Sequence, residues 1–505
     1  MSIARKALIG AIWASGANYI SQGIGFISLT VLGRLLLEQD FGLVATANSM
    51  IQFIFILSAF SFNLSIIQCQ DDHDALYSTA FVLNIALSAV SLLLTVGSVV
   101  TYSFFRELSA VEIAVIFSLA IANIFNLFGQ LFDAILQRNL EFKKTSAIAF
   151  FMNLINPLVA VVMAFYGAGV WSIVCGQIAA GLVFMLGGYY FAGWPISLRY
   201  NKETAQWFFK LGWRFLGSRA LEVVYSELDR LVIKSRNSYV QVGIYDRAAM
   251  AARYPARVVT PAIINVALPV YSRLKADVRQ LSDAYTLVNY FLIRTLLPFG
   301  LIFLLIPDYF MAGVLGEKWI SAAPVLKVLA AYAVIHPMVE NFRVLFYSLG
   351  RPEEVAKVRV IQIIVFIPVL FGLVAWMGIT GAAWALLLSI VVTYVVFAWR
   401  AQNTITYPLL RTITIPIVIS VLTAAIFFVL PVPAVDSHIV GLGLYSVLIL
   451  AIFLSLEMVF EGKALLKHFA YFKGLLKNPS TNSEYHAGPD EDKRQDHHSE
   501  TDNDR

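Results

Sequence analysis

Long apolar runs separated by short polar punctuation extend along almost the whole chain. Read at roughly 20 apolar residues per membrane-spanning helix, they predict fourteen helices. The first six cover Ala7–Leu32, Phe41–Leu64, Leu76–Phe104, Ile113–Ala134, Ser146–Tyr166 and Val170–Phe191. The next six cover Trp207–Val232, Val242–Val266, Ala284–Ile306, Ala322–Ser348, Glu354–Trp376 and Gly381–Ala398. Two more follow at Ile413–Leu430 and Ile439–Phe460. The seventh and eighth are too polar for hydropathy alone, and enter because omitting just one scrambles the loop charges. The first run starts after Arg5 and Lys6, as a secretory leader would, but continues to about Leu32, too long for a cleaved segment.

Those loop charges set an orientation. With both termini in the cytoplasm, the inner loops hold Arg138, Lys143, Lys144, Arg199, Lys202, Arg273, Lys275, Arg279, Arg351, Lys357 and Arg359, while the outer side has Arg34, Arg106, Lys234, Arg236 and Lys318. Such a bias, alternating loop by loop, is what positive-inside insertion produces.

Internal similarity points to a duplication. Pro157 and Gly167 recur 211 residues later as Pro368 and Gly378, each glycine leading into a helix with a tryptophan, Trp171 or Trp384. Leu136-Gln137-Arg138 parallels Leu349-Gly350-Arg351, and Gly16 and Gly42 match Gly217 and Gly243 at an offset of 201. The expected fold is an all-α polytopic membrane protein of about 14 transmembrane helices. It has two six-helix lobes in parallel pseudo-symmetry, at 1–200 and 201–405, and two additional helices over 406–460. A cytoplasmic tail fills 461–505. From about Asn478 it is polar, mixed in charge and nearly free of apolar residues, a composition that stays disordered.

Composition agrees and narrows the field. The chain is 59% hydrophobic and 14% charged, against about 45–50% and about 25% in soluble domains. Secreted enzyme, nucleic-acid-binding protein and disordered scaffold are all excluded as readings. Residues 461–505 hold 7 Lys/Arg and 9 Asp/Glu, so the net charge of +5 comes from the membrane part and suits basic cytoplasmic loops. Cys69 and Cys175 imply no disulfide framework or metal site, and the tail pair His497-His498 reads as solvated.

The informative residues are charges at membrane depth, which are costly and usually functional. Helices one to six have almost none, with Asp133 near an end. Helices seven to nine hold Arg214, Arg219, Glu222, Glu227, Asp229, Arg230, Asp246, Arg247, Arg253, Arg257 and Arg294. Counting from the helix ends at about 1.5 Å per residue places Arg219, Glu222, Arg253, Arg257 and Arg294 near the midplane. Arg253 and Arg257 share a face, and Pro255 between them is expected to kink the helix. Four arginines against one glutamate line a wet cavity or are neutralised. One reading is an internal ion-pair network, with Asp229–Arg230 and Glu340–Arg343 paired nearer the surfaces. The other is a cationic cavity whose guanidinium forks hold an anionic substrate. Glu222 and Asp246 are candidate ion-coupling carboxylates. Asn18, Gln22, Asn48 and Gln52 of the first two helices are candidate lumen residues for sugar hydroxyls, or interhelical packing polar groups.

Catalytic signals are weak. Asp72-His73-Asp74 imitates a metal-binding triplet but sits in a short loop with no nucleotide-binding domain around it, and no phosphate-cradling glycine loop is present. His336 and His438 have no partner evident in the sequence. No cofactor is expected, and no enzyme.

Several ordered motifs resemble a known family. They are Gly33-Arg34-Leu35 with Asp40-Phe41-Gly42, and Leu136-Gln137-Arg138 with Phe142-Lys143-Lys144. A longer block runs from Leu228-Asp229-Arg230 through Gly243-Ile244-Tyr245, Arg247-Ala248 and Pro255 to Leu268-Pro269 and Ser272-Arg273-Leu274. Leu315-Gly316-Glu317-Lys318-Trp319 and Leu349-Gly350-Arg351-Pro352 complete the set. Up to about residue 460 the chain resembles the polysaccharide transporters (Wzx-type flippases), whose superfamily also holds multidrug extruders and lipid II flippases. The resemblance implies two lobes in a V, alternating access, and an oligosaccharide repeat unit carried on a polyprenyl pyrophosphate through the bacterial inner membrane for exopolysaccharide, capsule or O-antigen assembly. Arg219, Arg253, Arg257 and Arg294 would hold the diphosphate and sugar acids, with membrane lipids and other polysaccharide assembly proteins as partners and no nucleic acid. The first helix lacks the acidic residue common in drug extruders, and the first two lack the arginines of lipid II flippases. A multidrug or organic-cation antiporter remains the alternative, as does, from another class, a membrane-embedded glycosyl- or acyltransferase.

Overall fold

The computed structural model describes residues 3–56, 66–67, 73–406, 409–430 and 435–477. Side chains are described within these except at 3–15, 17–18, 73–74, 214–215, 262, 409–411 and 463–477. The expected disordered tail from Asn478, Asp72 and Cys69 lie outside the described residues. Every described element is helical. The first half comprises α1 (Ile3–Leu35), α2 (Glu38–Ile54), α3 (His73–Phe105), α4 (Ala110–Arg138), α5 (Phe142–Phe165) and α6 (Val170–Ala192). There follow α7 (Lys202–Arg236), α8 (Tyr239–Leu274), α9 (Val278–Leu305), a short α10 (Pro307–Leu315), a 3-10 turn (Glu317–Ala322), α11 (Ala323–Ser348), α12 (Pro352–Met377) and α13 (Ile379–Ala401). The last two are α14 (Leu409–Val429) and α15 (His438–Lys477).

Ten of these helices are long and apolar enough to cross a membrane; α1, α2, α7 and α8 are not among them. α7 and α8 run 35 and 36 residues, well past their expected spans, and α15 runs 40. α8 continues as one helix through Pro255, Pro261 and Pro269. The short α10 was not expected at all. Pro307 starts it and Gly316, at φ 108°, ends it, both at positions those residues favour.

Local chemistry sets several helix starts. Ser109 and Glu112 form a reciprocal capping box at α4: the Ser109 hydroxyl accepts from Glu112 N (3.2 Å), and Ser109 N donates to the Glu112 carboxylate (2.7 Å). The Asp277 side chain accepts from Arg279 N and Gln280 N, both at 3.0 Å, to start α9.

Helix pairings recur in the two halves. α1 packs on α5 as α7 packs on α12, α4 on α6 as α11 on α13, and α2 on α4 as α8 on α11. α2 and α8 cross each other, and the crossing is reciprocal. A Cβ on Gly42 would land on the Tyr239 carbonyl and near Gly243 N, while one on Gly243 would land on the Glu38 carbonyl and near Gly42 N. The backbone corrects the repeat alignment elsewhere. Gly378 (φ 61°, ψ −132°), at the start of α13, has its counterpart in Gly169 (φ 55°, ψ −132°) at the start of α6, not in Gly167. Gly350 (φ 70°) corresponds to Leu140 (φ 60°) rather than Gln137. At both positions the chain leaves a helix with the same pair of closing bonds, Glu141 N to Leu136 O and Arg351 N to Phe346 O being one of each.

The ends of α1 and α7 meet the opposite half at one face of the molecule. Trp319, fully buried, donates its indole N–H to Gly33 O (2.8 Å), Arg34 donates to Gly313 O (2.6 Å), and Lys318 donates to Leu36 O (2.5 Å). In the reciprocal contact, Tyr239 at the α7–α8 turn hydrogen-bonds Glu112, and Arg106 lies 5.8 Å from its ring centre. Both turns therefore plug into the other half around the Gly42–Gly243 crossing.

Candidate functional site

Directly beneath that closure lies a cavity of about 570 Å³, and its walls come largely from α1, α2, α7 and α8, the four long helices that are not among the ten apolar spans. The two halves contribute different chemistry. From the first half come Ser21 and Ser28 of α1, Asn48 of α2, Asn153 and Asn156 of α5 and Gln177 of α6, hydroxyls and amides without charge. From the second come Glu227 and Arg230 of α7 and Asp246, Arg247, Arg253 and Arg257 of α8.

The charged wall divides into a closed network and a free pair. Arg230 donates to Asp246 (2.8 Å), to Glu227 (3.2 Å) and to Ser226 O (2.7 Å), with Asp229 3.6 Å away. Asp246 also accepts from Arg247 at 2.6 Å, and Glu227 accepts from Ser49 of α2 at 2.7 Å. Asp229 is fully buried and takes the Tyr245 hydroxyl at 2.6 Å. Arg247 in turn lies 4.5 Å from the Phe41 ring centre, and Phe41 stands edge-on to Trp319 at 5.5 Å, so this network touches the closure above it.

Arg253 and Arg257 are different. Among the described residues neither has a carboxylate within salt-bridge distance; Arg253 lies 5.7 Å from the Tyr332 ring centre and feels Asp229 at longer range, as Arg257 feels Asp246. Their spacing of four puts them on one face of α8, one turn apart. Among the described residues, four arginines and two carboxylates line the cavity, and both carboxylates are engaged by Arg230 and Arg247. With Asp229 behind the wall counted, these four arginines face three carboxylates, which leaves one net positive charge, and Arg253 and Arg257 are the two cations outside the salt bridges. Isolated guanidinium groups this deep need either water or an anion.

The remaining candidates separate cleanly. Asn48 and Asp246 line the cavity; Arg219, Glu222, Arg294, Gln22 and Gln52 do not. Arg219 and Glu222 pair with each other at 3.0 Å on an exposed face of α7. Arg294 is buried against Glu457 (3.3 Å) and Glu461 of α15, with its guanidinium over the Tyr290 ring. The Gln22 carbonyl accepts from the Tyr254 hydroxyl. The side chain of Asn18 is outside the described residues. Glu340 pairs with Arg343 at 2.5 Å and approaches His336 at 3.5 Å, which gives that histidine a partner.

Sequence reasoning missed Arg230 and Arg247 as lumen residues, because counting along a straight helix placed them near its ends. It also missed Asn153, Asn156 and Gln177. Their signal was available: isolated amides inside otherwise apolar spans.

A family model described as polysaccharide biosynthesis protein matches residues 31–324, more than half the chain. The chain belongs to this polysaccharide biosynthesis protein family. The matched stretch takes in the closure and every cavity-lining residue from Leu32 onward. Among relatives in the family's field, the teichuronic acid biosynthesis protein TuaB of Bacillus subtilis (strain 168) is 23% identical over 403 residues, 79% of this chain and 83% of that one. The lipopolysaccharide biosynthesis protein WzxC of Escherichia coli (strain K12) is 26% identical over 383 residues, 73% and 75% of the two chains. The fold of this family member is also that of the lipid II flippase MurJ in an inward closed conformation, with a TM-score of 0.73 at 12% identity, covering 90% of this chain and all of that one.

Proposed function

We propose that this protein is a flippase that carries a polyprenyl-pyrophosphate-linked oligosaccharide repeat unit across the bacterial inner membrane for surface polysaccharide assembly. The observation that carries the reading is the Arg253–Arg257 pair, two cations one turn apart on a cavity wall, neither in a salt bridge among the described residues. A diphosphate diester bears two negative charges, and guanidinium forks match its oxygens in geometry as well as sign. The opposite wall of Asn48, Asn153, Asn156 and Gln177 suits sugar hydroxyls, while the polyprenyl tail stays in lipid. Membership of the family, and relatives named for teichuronic acid and lipopolysaccharide biosynthesis, support the same cargo class.

Transport proceeds by alternating access. Residues 1–200 and 201–405 act as two lobes that rock about the α2–α8 crossing, with 406–460 as an added helix pair. Both termini lie in the cytoplasm in this reading, which the bias of the loop charges supports. On that orientation the Trp319–Gly33 closure is periplasmic and this conformation receives cargo from the inside.

The test is complementation of a gene deletion with Arg253→Ala or Arg257→Ala. The expected outcome is loss of surface polysaccharide with lipid-linked repeat units accumulating in the membrane. Normal polysaccharide together with altered drug sensitivity would refute the reading, and truncated sugar chains would point to a transferase.

A further inference from the structure

Behind the cavity wall, enclosed by α7, α8, α11 and α12, the second half contains another group of cations. Arg343 stands five residues before the end of α11 and Arg359 seven residues after the start of α12. At about 1.5 Å per residue, both sit roughly 8–11 Å in from the turn joining these helices. Arg343 is the strongest charged neighbour of Arg359, and Arg253, Arg343 and Arg359 all act on His336. Glu340 is the one carboxylate within the group, and Arg343 already holds it at 2.5 Å. Glu222, the other acid acting on Arg359, is bonded to Arg219.

Arg359 itself has no carboxylate within salt-bridge distance among the described residues. It donates to the Gln362 carbonyl at 2.9 Å and lies 5.1 Å from the Tyr225 ring centre. Gln362 is fully buried, and its amide nitrogen has no acceptor among the described residues. Two guanidiniums therefore repel each other beside an unused N–H donor, at a depth where neither cost is tolerated without compensation. Yet the group is not sealed: His336 and Glu340 side chains keep 34% and 28% of their exposure. The feature belongs to one half only. Positions 210 residues earlier are Asn126, Gln130, Asp133 and Ala149, with no cation.

We propose that Arg343, Arg359 and Gln362, with Arg253 at the rim, form a second anion site that takes a carboxylate or phosphate group. Arg253 faces both sites, so the second lies within reach of a group attached to whatever the cavity holds. Its occupant is an acidic substituent of the glycan or a free inorganic anion. The first case rests on the flippase reading; the site itself does not.

The test uses the full chain in lipid nanodiscs, in the Arg257→Gln background so that the cavity pair is already broken. Sodium glucuronate or phosphate, compared with chloride at equal ionic strength, should raise the unfolding temperature, and adding Arg359→Gln should abolish the shift. Gln362→Leu leaves the charge unchanged and should weaken the apparent affinity about fivefold, the cost of one hydrogen bond. No shift over chloride, or a shift that survives Arg359→Gln, overturns the site. Flipping in proteoliposomes then names the occupant. A tenfold loss with Arg359→Gln for acidic repeat units alone assigns it to the glycan, and equal rates for acidic and neutral units assign it to a free anion. Failure of the wild-type protein to flip either unit would sink the proposed function while leaving the binding result to judge the site.

Discussion

Trp319→Phe isolates one bond of the closure. The substitution keeps an aromatic ring beside Phe41 but removes the indole N–H that reaches Gly33 O at 2.8 Å across the two halves. Trp319 is fully buried, so in the closed form the Gly33 carbonyl is left without a partner, at a cost of about 1–3 kcal/mol. When the halves part, that carbonyl reaches water and the cost vanishes. The penalty thus falls on the closed state alone, and about 2 kcal/mol shifts the open-to-closed ratio roughly 30-fold. The assay is labelling of a single cysteine, Asn48→Cys on the cavity wall, in a chain whose Cys69 and Cys175 are replaced. A membrane-impermeant maleimide added from the periplasmic side should react faster in the Trp319→Phe protein by about that factor. An unchanged labelling rate in a folded variant would remove this bond from the outer closure. Faster labelling from the cytoplasmic side instead would invert the orientation.

Two further substitutions test the packing. Leu140 is a non-glycine residue at φ 60° and half-exposed, so Leu140→Gly relieves left-handed strain while giving up little burial. After the entropy glycine adds to the unfolded chain, a gain of about 0.5–1 kcal/mol is expected, visible as a rise of about 1 °C in Tm. Gly42→Ala should act in the opposite sense. Its methyl meets the Tyr239 backbone, which cannot swing aside as a side chain would, so a loss of at least ~3 kcal/mol is expected. The yield of monodisperse protein measures it, and a normal yield would mean that the helices do not cross this closely.

How far the sequence disclosed this structure depends on the range of the interaction concerned. Hydropathy alone would have dropped α7 and α8, the helices that carry the charged wall; the alternation of loop charges recovered them. Gly42 and Gly243 stood out as a repeat, but a shared offset does not say that the two residues touch. Arg294 looked like a cavity cation because Glu457 and Glu461, its partners, lie more than 160 residues away, one in a helix read as an added span and the other in the expected tail. Arg219 was misread for the opposite reason. Glu222, one turn along, sufficed to pair it on an exposed surface. The repeat was also misaligned where Leu140 occupies a conformation that its counterpart Gly350 fills with glycine, since identity matching follows residue type and not backbone shape.

Which membrane arginines are paired bears on the cargo. Within the membrane part, Arg219, Arg230, Arg247, Arg294, Arg343 and Arg400 each hold a carboxylate. Charges of this kind offset one another and give weak evidence for anything beyond specificity of packing. Among the described residues, Arg253, Arg257 and Arg359 have no carboxylate within salt-bridge distance, and all three lie in α8 and α12 of one half. Were they structural, acids on neighbouring helices would be expected to have met them, as α15 meets Arg294. A resident ion would satisfy the energetics equally well at Arg359, but the cavity pair is one turn apart and faces a wall of amides with no charge to return. Such an asymmetric lumen fits an amphipathic guest with an anionic junction and a hydroxylated head, which is the shape of a sugar on a lipid diphosphate. An organic cation would have to be desolvated against two guanidiniums outside any salt bridge, and no described residue of the facing wall carries a charge to offset that repulsion.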